Sequence, residues 1–370
     1  MGIYDAWLDF RDKCLTSPEF HRFALKFPLT RPIVRKRQSE VFDVVSGFVY
    51  SQILVACVEL DVFSCPQLRK RGATLDALAQ HIGLGVDETK RLAKGAAALR
   101  LLEERNNRFR LGDLGAALSI NEGALAMIRH HKALYQDLQD PVSLLQSGRQ
   151  ETNLSRYWDY ARNTHPKSAQ QEAVAPYSAL MSASQQMVSE EVIAAIDFMD
   201  YRKLMDVGGG QGTFLSNIGE AYQHLDLVLF DLPEVVDLAR DKTKESSAHY
   251  RMEFCGGSFF DDDLPKGADV ITLVRIIHDH DDEAVRKILT AAYNALESDK
   301  TLLICEPMST GKHAHRISDA YFNFYLYAMG SGRPRTPEEV RIMLKNAGFS
   351  SVKRIPTRSP FVTSIISAQK

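Results

Sequence analysis

From residue 203 onward, short apolar runs alternate with stretches of helical periodicity. Residues 204–207 and 225–230 are apolar runs of strand length, separated by Gly208-Gly209-Gly210-Gln211-Gly212 and a helix-like stretch over 213–221. The alternation continues with a helix over 233–243, strands over 251–255 and 270–277, a helix over 283–296, a strand over 301–305, a helix over 337–347 and a strand over 361–367. Strands and helices in that order predict an α/β fold, an open sheet covered on both faces. Ligands bind beyond the carboxyl ends of such strands. Those ends carry Gly208–Gly212, Asp231, Gly256-Gly257-Ser258-Phe259, His278 and Glu306, so polar and glycine residues converge on one rim.

The first half has a different pattern. Residues 41–60 read as a helix too apolar all round to face solvent, which suits burial in an interface. Thr74 caps a helix carrying Leu75, Leu78, Ala79 and Ile82, and Asp87-Glu88 open another with Leu92, Ala96 and Leu99. Residues 101–104, the Asn106-Asn107 turn and residues 108–111 then predict a β-hairpin. This is a winged-helix order. A recognition helix bearing only Lys90, Arg91, Lys94 and Arg100 is weakly basic for DNA, however. Residues 120–195 read as mainly helical, with Trp158 and Tyr160 expected in a pocket or core.

Residues 1–40 stand apart. Phe20, Phe23, Leu25, Phe27, Leu29, Ile33 and Val34 are interleaved with Arg22, Lys26, Arg31, Arg35, Lys36 and Arg37, with no acid between Glu19 and Glu40. Such an arm can lie on an anionic membrane surface or pack on a partner subunit with its charges solvated. Pro28 and Pro32 exclude one continuous helix. The expected division is an arm (1–40), a helical winged-helix domain (41–195) and an α/β domain (196–370).

Composition narrows the classes. The 370 residues hold 45 basic and 47 acidic side chains, which argues against a general nucleic-acid binder. Cys14, Cys57, Cys65, Cys255 and Cys305 form no Cys-x-x-Cys and are odd in number, so a reducing cytoplasm is expected. The apolar stretch 44–58 is interrupted by Ser46, Gly47, Ser51 and Gln52 and reads as too short to span a bilayer. No secretory signal precedes it.

The chemistry is expected at the glycine turn. A nicotinamide or flavin site wants Gly-x-Gly-x-x-Gly, but Thr213 stands where its third glycine belongs. Asp206 just before the turn would repel a pyrophosphate, whereas it can bind an amino acid's ammonium group. S-adenosylmethionine is such a ligand, and Asp231 at the tip of the second strand can hold both hydroxyls of its ribose. Methyl transfer from a sulfonium is an in-line displacement that requires an oxygen nucleophile relieved of its proton, and His278 is the residue type suited to that near neutral pH. Glu306, accepting from the other ring nitrogen, would set the tautomer. His278-x-His280 with Asp281 and Asp282, and His313-x-His315, were weighed as metal ligands; no tight set emerges and no metal is expected. Asp281 and Asp282 read as helix N-terminal acids favoured by the dipole.

Asp206-Val-Gly-Gly-Gly-Gln-Gly212, Phe230-Asp-Leu-Pro233, Gly256-Gly-Ser-Phe-Phe260, His278-Asp-His-Asp-Asp-Glu283 and Glu306-Pro307, in that order, resemble the class II small-molecule O-methyltransferases over residues 41–367. Phe27-Pro-Leu-Thr-Arg-Pro-Ile33 and Phe48-Val-Tyr-Ser-Gln52 are similar to their bacterial carotenoid branch. The resemblance implies a homodimer joined through the winged-helix region and a Rossmann-like S-adenosylmethionine domain. It places Asp206, Gly208 and Gly210 at the methionine part of the cofactor, Asp231 at the ribose, Ser258 and Phe259 at the adenine, Arg275 beside the cofactor, and His278 with Glu306 at the reacting oxygen. The implied acceptor is the tertiary hydroxyl of an acyclic 1-hydroxy carotenoid such as demethylspheroidene or hydroxyneurosporene. A quinone, polyketide or bacteriochlorophyll precursor is the alternative acceptor, and an S-adenosylmethionine-sensing regulator the alternative class. Three departures stand out: Ser258 replaces an adenine-side acid, Pro334 stands where a second acid would flank the histidine, and Val274-Arg275 replaces a lysine pattern.

Overall fold

Parallel strands β3 (Lys203–Val207), β4 (Asp226–Asp231), β5 (Met252–Gly256), β6 (Val270–Val274) and β7 (Thr301–Glu306) form most of one seven-stranded sheet. The strand order is β5-β4-β3-β6-β7-β9-β8, where β8 is Ser350–Ile355 and β9 Ser364–Gln369. β9 runs antiparallel to both β7 and β8. The computed structural model describes residues 2–148, 151–156, 185–309, 316–360 and 362–370. Trp158, Tyr160, His313 and His315, and position 361 at the start of the last expected strand, lie outside the described residues. Two compact units divide the chain, residues 1–120 and 121–370.

In the second unit the central strands β6 and β7 are buried at every position, as expected of parallel strands covered on both faces. One face packs Met205, Ile271 and Leu273 against Val285, Ile288 and Leu289 of the helix Asp282–Ala295. The other packs Leu204, Leu227 and Leu229 against Phe214, Leu215 and Ile218 of the helix Thr213–Ala221. Two expectations need correction. β6 stops at Val274 rather than 277, because Arg275 turns to φ +57° and residues Ile277–Asp279 form a single 3-10 turn. The polar strand Ser350–Ile355 was not anticipated: on the sheet edge it buries none of its residues fully and so lacks an apolar run.

The first unit begins with helices Ile3–Leu15, Pro18–Lys26 and Arg31–Glu59. Ser17 caps the second, whose last residue precedes the Phe27-Pro28 break, and Pro32 sits in the first turn of the third, where its missing N–H costs nothing. The third helix passes residues 40–41 without interruption and buries only Cys57 and Val58. Its 29 residues are long and apolar enough to cross a membrane by length and composition, unlike the 44–58 stretch taken alone. Thr74 caps the helix Leu75–Ile82 by accepting from Ala77 N, and the helix Val86–Ala98 follows. β1 (Leu102–Arg105) and β2 (Arg108–Leu111) pair through Asn106 and Asn107, both at positive φ as a tight hairpin turn requires.

Candidate active site

The turn after β3 is shaped by backbone conformation. Gly208, Gly210 and Gly212 all adopt positive φ, which glycine tolerates without strain. A Cβ on Gly208 would strike the side chain of Ile276 and come within 3.9 Å of Phe259, so the glycine turn, the loop after β5 and the turn after β6 meet there. Asp206 is 2% exposed and accepts a hydrogen bond from Thr272 Oγ1 at 2.6 Å. Asp231, half-buried, accepts from Gly210 N at 2.8 Å and Leu232 N at 2.7 Å.

Desolvation pushes Asp206 up to about 7, with the Asp231 charge adding to the rise and Thr272 opposing it. Desolvation likewise pushes Asp231 up to about 6, against its two backbone donors. Two desolvated carboxyls, the charge of Asp231 raising the proton affinity of Asp206, form a site whose electrostatics favour a cation. Aminoacyl ammonium, sulfonium and ribose hydroxyls fit that demand, and the space beside Gly210, where a Cβ would touch nothing within 4 Å, leaves room for them.

In the loop after β5, Ser258 is engaged in its own turn. Its Oγ donates to Asp261 Oδ2 at 3.0 Å and its N–H to Asp262 Oδ2 at 2.8 Å. Phe259 lies edge-on to Phe260 at 4.7 Å and to His280 at 5.6 Å between ring centroids. Asp261 and Asp262 thus fasten the loop through Ser258.

His278 sits on the 3-10 turn beyond β6, 5% exposed. Glu306, the last residue of β7 and 1% exposed, accepts from the N–H groups of Ile276 at 2.8 Å, Ile277 at 2.6 Å and His278 at 3.0 Å. The same carboxylate receives His278 Nδ1. The opposite ring nitrogen, Nε2, lies 3.1 Å from Asp279 Oδ1. Imidazole therefore stands between two carboxyls. Burial lowers its proton affinity, but Asp279 and then Glu306 outweigh burial and the net direction is upward, against Arg275. Desolvation pushes Asp279 up to about 6. Both directions fit one proton shared across Nε2 and Oδ1, since a neutral ring donating from Nδ1 has only a lone pair to offer an ionised carboxylate.

Sequence reasoning overlooked Asp279. The second acid at the ring comes not from position 334, which is proline, but from the residue next to the histidine, turned alongside it by the 3-10 geometry. Arg275, in a left-handed conformation rare for a side-chain-bearing residue, holds its charge within influence of His278 and Asp279.

Also unanticipated was an aromatic wall. Phe322 lies edge-on to His278 at 6.4 Å, Tyr321 to Phe322 at 5.1 Å, and Tyr321 stacks on Tyr325 at 5.7 Å. His131 Nε2 bonds Tyr321 Oη at 2.7 Å and His130 Nε2 bonds Tyr325 Oη at 2.9 Å. Burial, helped by His130, pushes His131 down to about 4, so both tyrosine hydroxyls are held by neutral rings. Residues Arg316–Phe322 form a π-helix, a conformation frequent at functional sites. The dense Tyr321-Phe-Asn-Phe-Tyr-Leu-Tyr327 and the His130-His131 pair were the available signals.

The His/Asp cluster weighed as a metal site is used otherwise. Asp281 is the N-cap of the helix Asp282–Ala295 and accepts from Gly332 N, while Asp282 binds Arg333 and Arg335. Among the described residues no group of three His, Cys, Asp or Glu side chains is arranged to hold a metal.

Known proteins place this geometry. Residues 135–350 match the O-methyltransferase domain and residues 42–119 the O-methyltransferase dimerisation domain. The demethylspheroidene O-methyltransferase of Cereibacter sphaeroides is 41% identical over 353 residues, covering 95% of this chain and 92% of that protein. Its namesake from Rhodobacter capsulatus is 40% identical, covering 98% and 90%. In fold the chain is similar to human N-acetylserotonin methyltransferase in complex with SAM (TM-score 0.74, 22% identity, covering 90% of this chain and 97% of that one) and to the mitomycin 7-O-methyltransferase MmcR (TM-score 0.74, 21% identity, covering 92% and 99%). The chain belongs to the O-methyltransferase family, as an S-adenosylmethionine-dependent enzyme with a dimerisation domain over residues 42–119 and a methyltransferase domain behind it.

Proposed function

We propose that the enzyme transfers a methyl group to the tertiary hydroxyl of an acyclic 1-hydroxy carotenoid, with His278 as general base. Two demethylspheroidene O-methyltransferases at 41% and 40% identity over nearly the whole chain support the acceptor class. The observation that carries the base assignment is the His278–Glu306 pair: a buried imidazole fastened through Nδ1, leaving Nε2 as the nitrogen to take a proton. When bound, S-adenosylmethionine supplies a methyl group on a sulfonium already activated for displacement.

The protein's own residues then have separable tasks. Asp206 and Asp231 hold positive charge and hydroxyls in a water-poor turn, Gly208 and Gly210 let a ligand approach the backbone, and Phe259 and Ser258 border the adenine side. Arg275 is assigned to the cofactor by the resemblance, and its charge is felt at His278 and Asp279. A tertiary alcohol is a very weak acid, so His278 takes its proton as the carbon–oxygen bond forms, not before, and positioning supplies much of the rate. For Nε2 to accept that proton, the one shared with Asp279 must leave or reside on Asp279, which makes Asp279 a second participant in the proton's path.

The acceptor's insolubility motivates a location. The amino-terminal helices expose Ile3, Tyr4, Trp7, Phe10 and Phe23, and the turn after them Leu29, alongside the basic residues of 22–37. That combination of interfacial aromatics and cations suits reversible adsorption to an anionic membrane face, from which a membrane-dissolved acceptor can be drawn. The deciding experiment is incubation of purified protein with labelled S-adenosylmethionine and a panel of hydroxylated carotenoids. Label in an acyclic 1-hydroxy carotenoid is expected; label only in a quinone or polyketide acceptor would displace the carotenoid.

A further inference from the structure

The turn that carries His278 is held from two sides, and only one of them is Glu306. Glu306 takes the N–H groups of Ile276, Ile277 and His278. The carbonyl side of the same turn is taken by a segment from the other end of the unit. Arg335 donates through Nη1 to Ile277 O and through Nη2 to His280 O at 2.8 Å, the two carbonyls on either side of the histidine, while Arg333 N donates to His278 O between them at 2.9 Å. Every carbonyl from Ile276 to His278 and the one at His280 therefore has a donor, since Ile276 O receives Asp279 N.

Arg335 is itself fixed. At 2% exposed it is the most buried arginine of the site, and Asp282 Oδ1 receives its Nε at 3.0 Å and its Nη2 at 2.6 Å. Asp282 is in the first turn of the helix that follows the histidine, so the guanidinium ties both ends of the turn to one rigid helix start. Its own backbone carbonyl receives Ser309 N at 2.9 Å, three residues past Glu306. The next residue, Thr336, caps the helix Pro337–Asn346 in a capping box with Glu339, and Glu339 also binds Arg333. Gly332 passes so close to His278 O and Asp279 that a Cβ would collide with both.

We infer that Arg335 is a positioning residue for the base, the cationic counterpart of Glu306, which fixes the height and tilt of the His278 ring by holding the carbonyls that flank it. A planar fork is needed, because one guanidinium reaches Ile277 O, His280 O and Asp282 together, whereas a lysine ammonium on a flexible stem cannot span them in a fixed geometry. Position 334, where a second acid would flank the histidine, is proline; its neighbour Arg335 acts instead on the backbone of the histidine's turn. This inference deepens the reading of His278 as base, and one readout below is independent of that reading.

The test uses the full-length protein with Arg335→Ala and Arg335→Lys. Three quantities are measured: kcat, affinity for S-adenosylhomocysteine by calorimetry, and the titration of His278 by nitrogen NMR of 15N-histidine-labelled protein, its signal identified by loss in His278→Ala. Arg335→Ala is expected to lower kcat about 100-fold, the scale of a displacement near 1 Å. Product affinity should stay within about threefold. The His278 titration should move to lower pH, because a ring displaced from Glu306 and Asp279 loses the two acids that hold its proton while Arg275 still opposes it. Guanidinium ion at millimolar concentration should restore part of kcat in the alanine variant, and the lysine variant should fall between the two. An unchanged titration and kcat in Arg335→Ala would overturn the inference. So would a parallel loss of product affinity and activity that guanidinium does not repair, since that describes a residue holding the fold alone. If kcat survives in His278→Ala, the base assignment fails; the NMR titration still decides whether Arg335 positions the ring.

Discussion

Val270–Val274 and Thr301–Glu306 are buried at all of their positions, whereas the helix Arg31–Glu59 buries two of its 29 residues. The methyltransferase unit completes its apolar core within one chain and partners its buried polar groups at the sheet rim, Asp206 with Thr272, His278 with Glu306 and Arg335 with Asp282. The first unit leaves Val41, Phe42, Val44, Val45 and Phe48 exposed along one helix. Exposed apolar surface of that extent calls for something outside the chain. Most of it falls within the dimerisation domain, which starts at residue 42, and a second copy is the occupant proposed for it. The exposed aromatics before residue 30 lie outside that matched region, and the membrane adsorption proposed above is the role assigned to them. One half is therefore finished by folding and the other by association.

Changes inside the rim should have the largest effects and leave assembly intact. His278→Ala is expected to lower turnover by roughly 10²–10⁴-fold with cofactor affinity nearly unchanged, as measured by steady-state kinetics and calorimetry. The wild-type pH profile carries the same information. Because the folded pKa of His278 is raised above 6.5, the ring is protonated and useless as a base below it, so kcat/KM should rise with pH through a limb above 6.5. A limb well below that value would mean that Asp279 and Glu306 do not hold the proton.

On the other side of the comparison, Phe48→Asp should weaken self-association by about 2–4 kcal/mol, the scale of a central interface residue. Light scattering would show monomer at concentrations where the wild type is dimeric. If S-adenosylhomocysteine affinity fell with it, the second unit would not be self-sufficient, and the contrast drawn here would fail.

A smaller effect is expected at the cofactor's ribose. Asp231→Ala should cost on the order of 1–3 kcal/mol in affinity for S-adenosylmethionine and its product, because hydroxyls in a desolvated turn lose their acceptor. Equal calorimetric affinities would remove Asp231 from the site. The smallest effects belong to the arm, where each basic residue near an anionic surface contributes about 1 kcal/mol. Deleting residues 1–38 should reduce sedimentation with anionic vesicles at low salt and spare cofactor binding. Undiminished sedimentation would assign the arm to the subunit interface.

Much of this architecture was legible along the chain because buried parallel strands write themselves as apolar runs. The runs at 204–207, 225–230 and 301–305 became β3, β4 and β7, and the glycine turn and Asp231 lie at their ends. Glu306 was legible for the same reason, as the first charge after a wholly apolar strand. The edge strand Ser350–Ile355 was not, since it has solvent on one side and no periodic signature. Nor was the halt of β6 at Val274, which depends on a left-handed Arg275 that no residue type announces. Sequence by itself determined most of the strands and helices and the order in which the glycine turn, Asp231, His278 and Glu306 follow them. Only tertiary structure decided which further groups surround His278, because Phe322 and Arg335 come from positions 44 and 57 residues distant and meet it through strand order and helix placement rather than through any local preference.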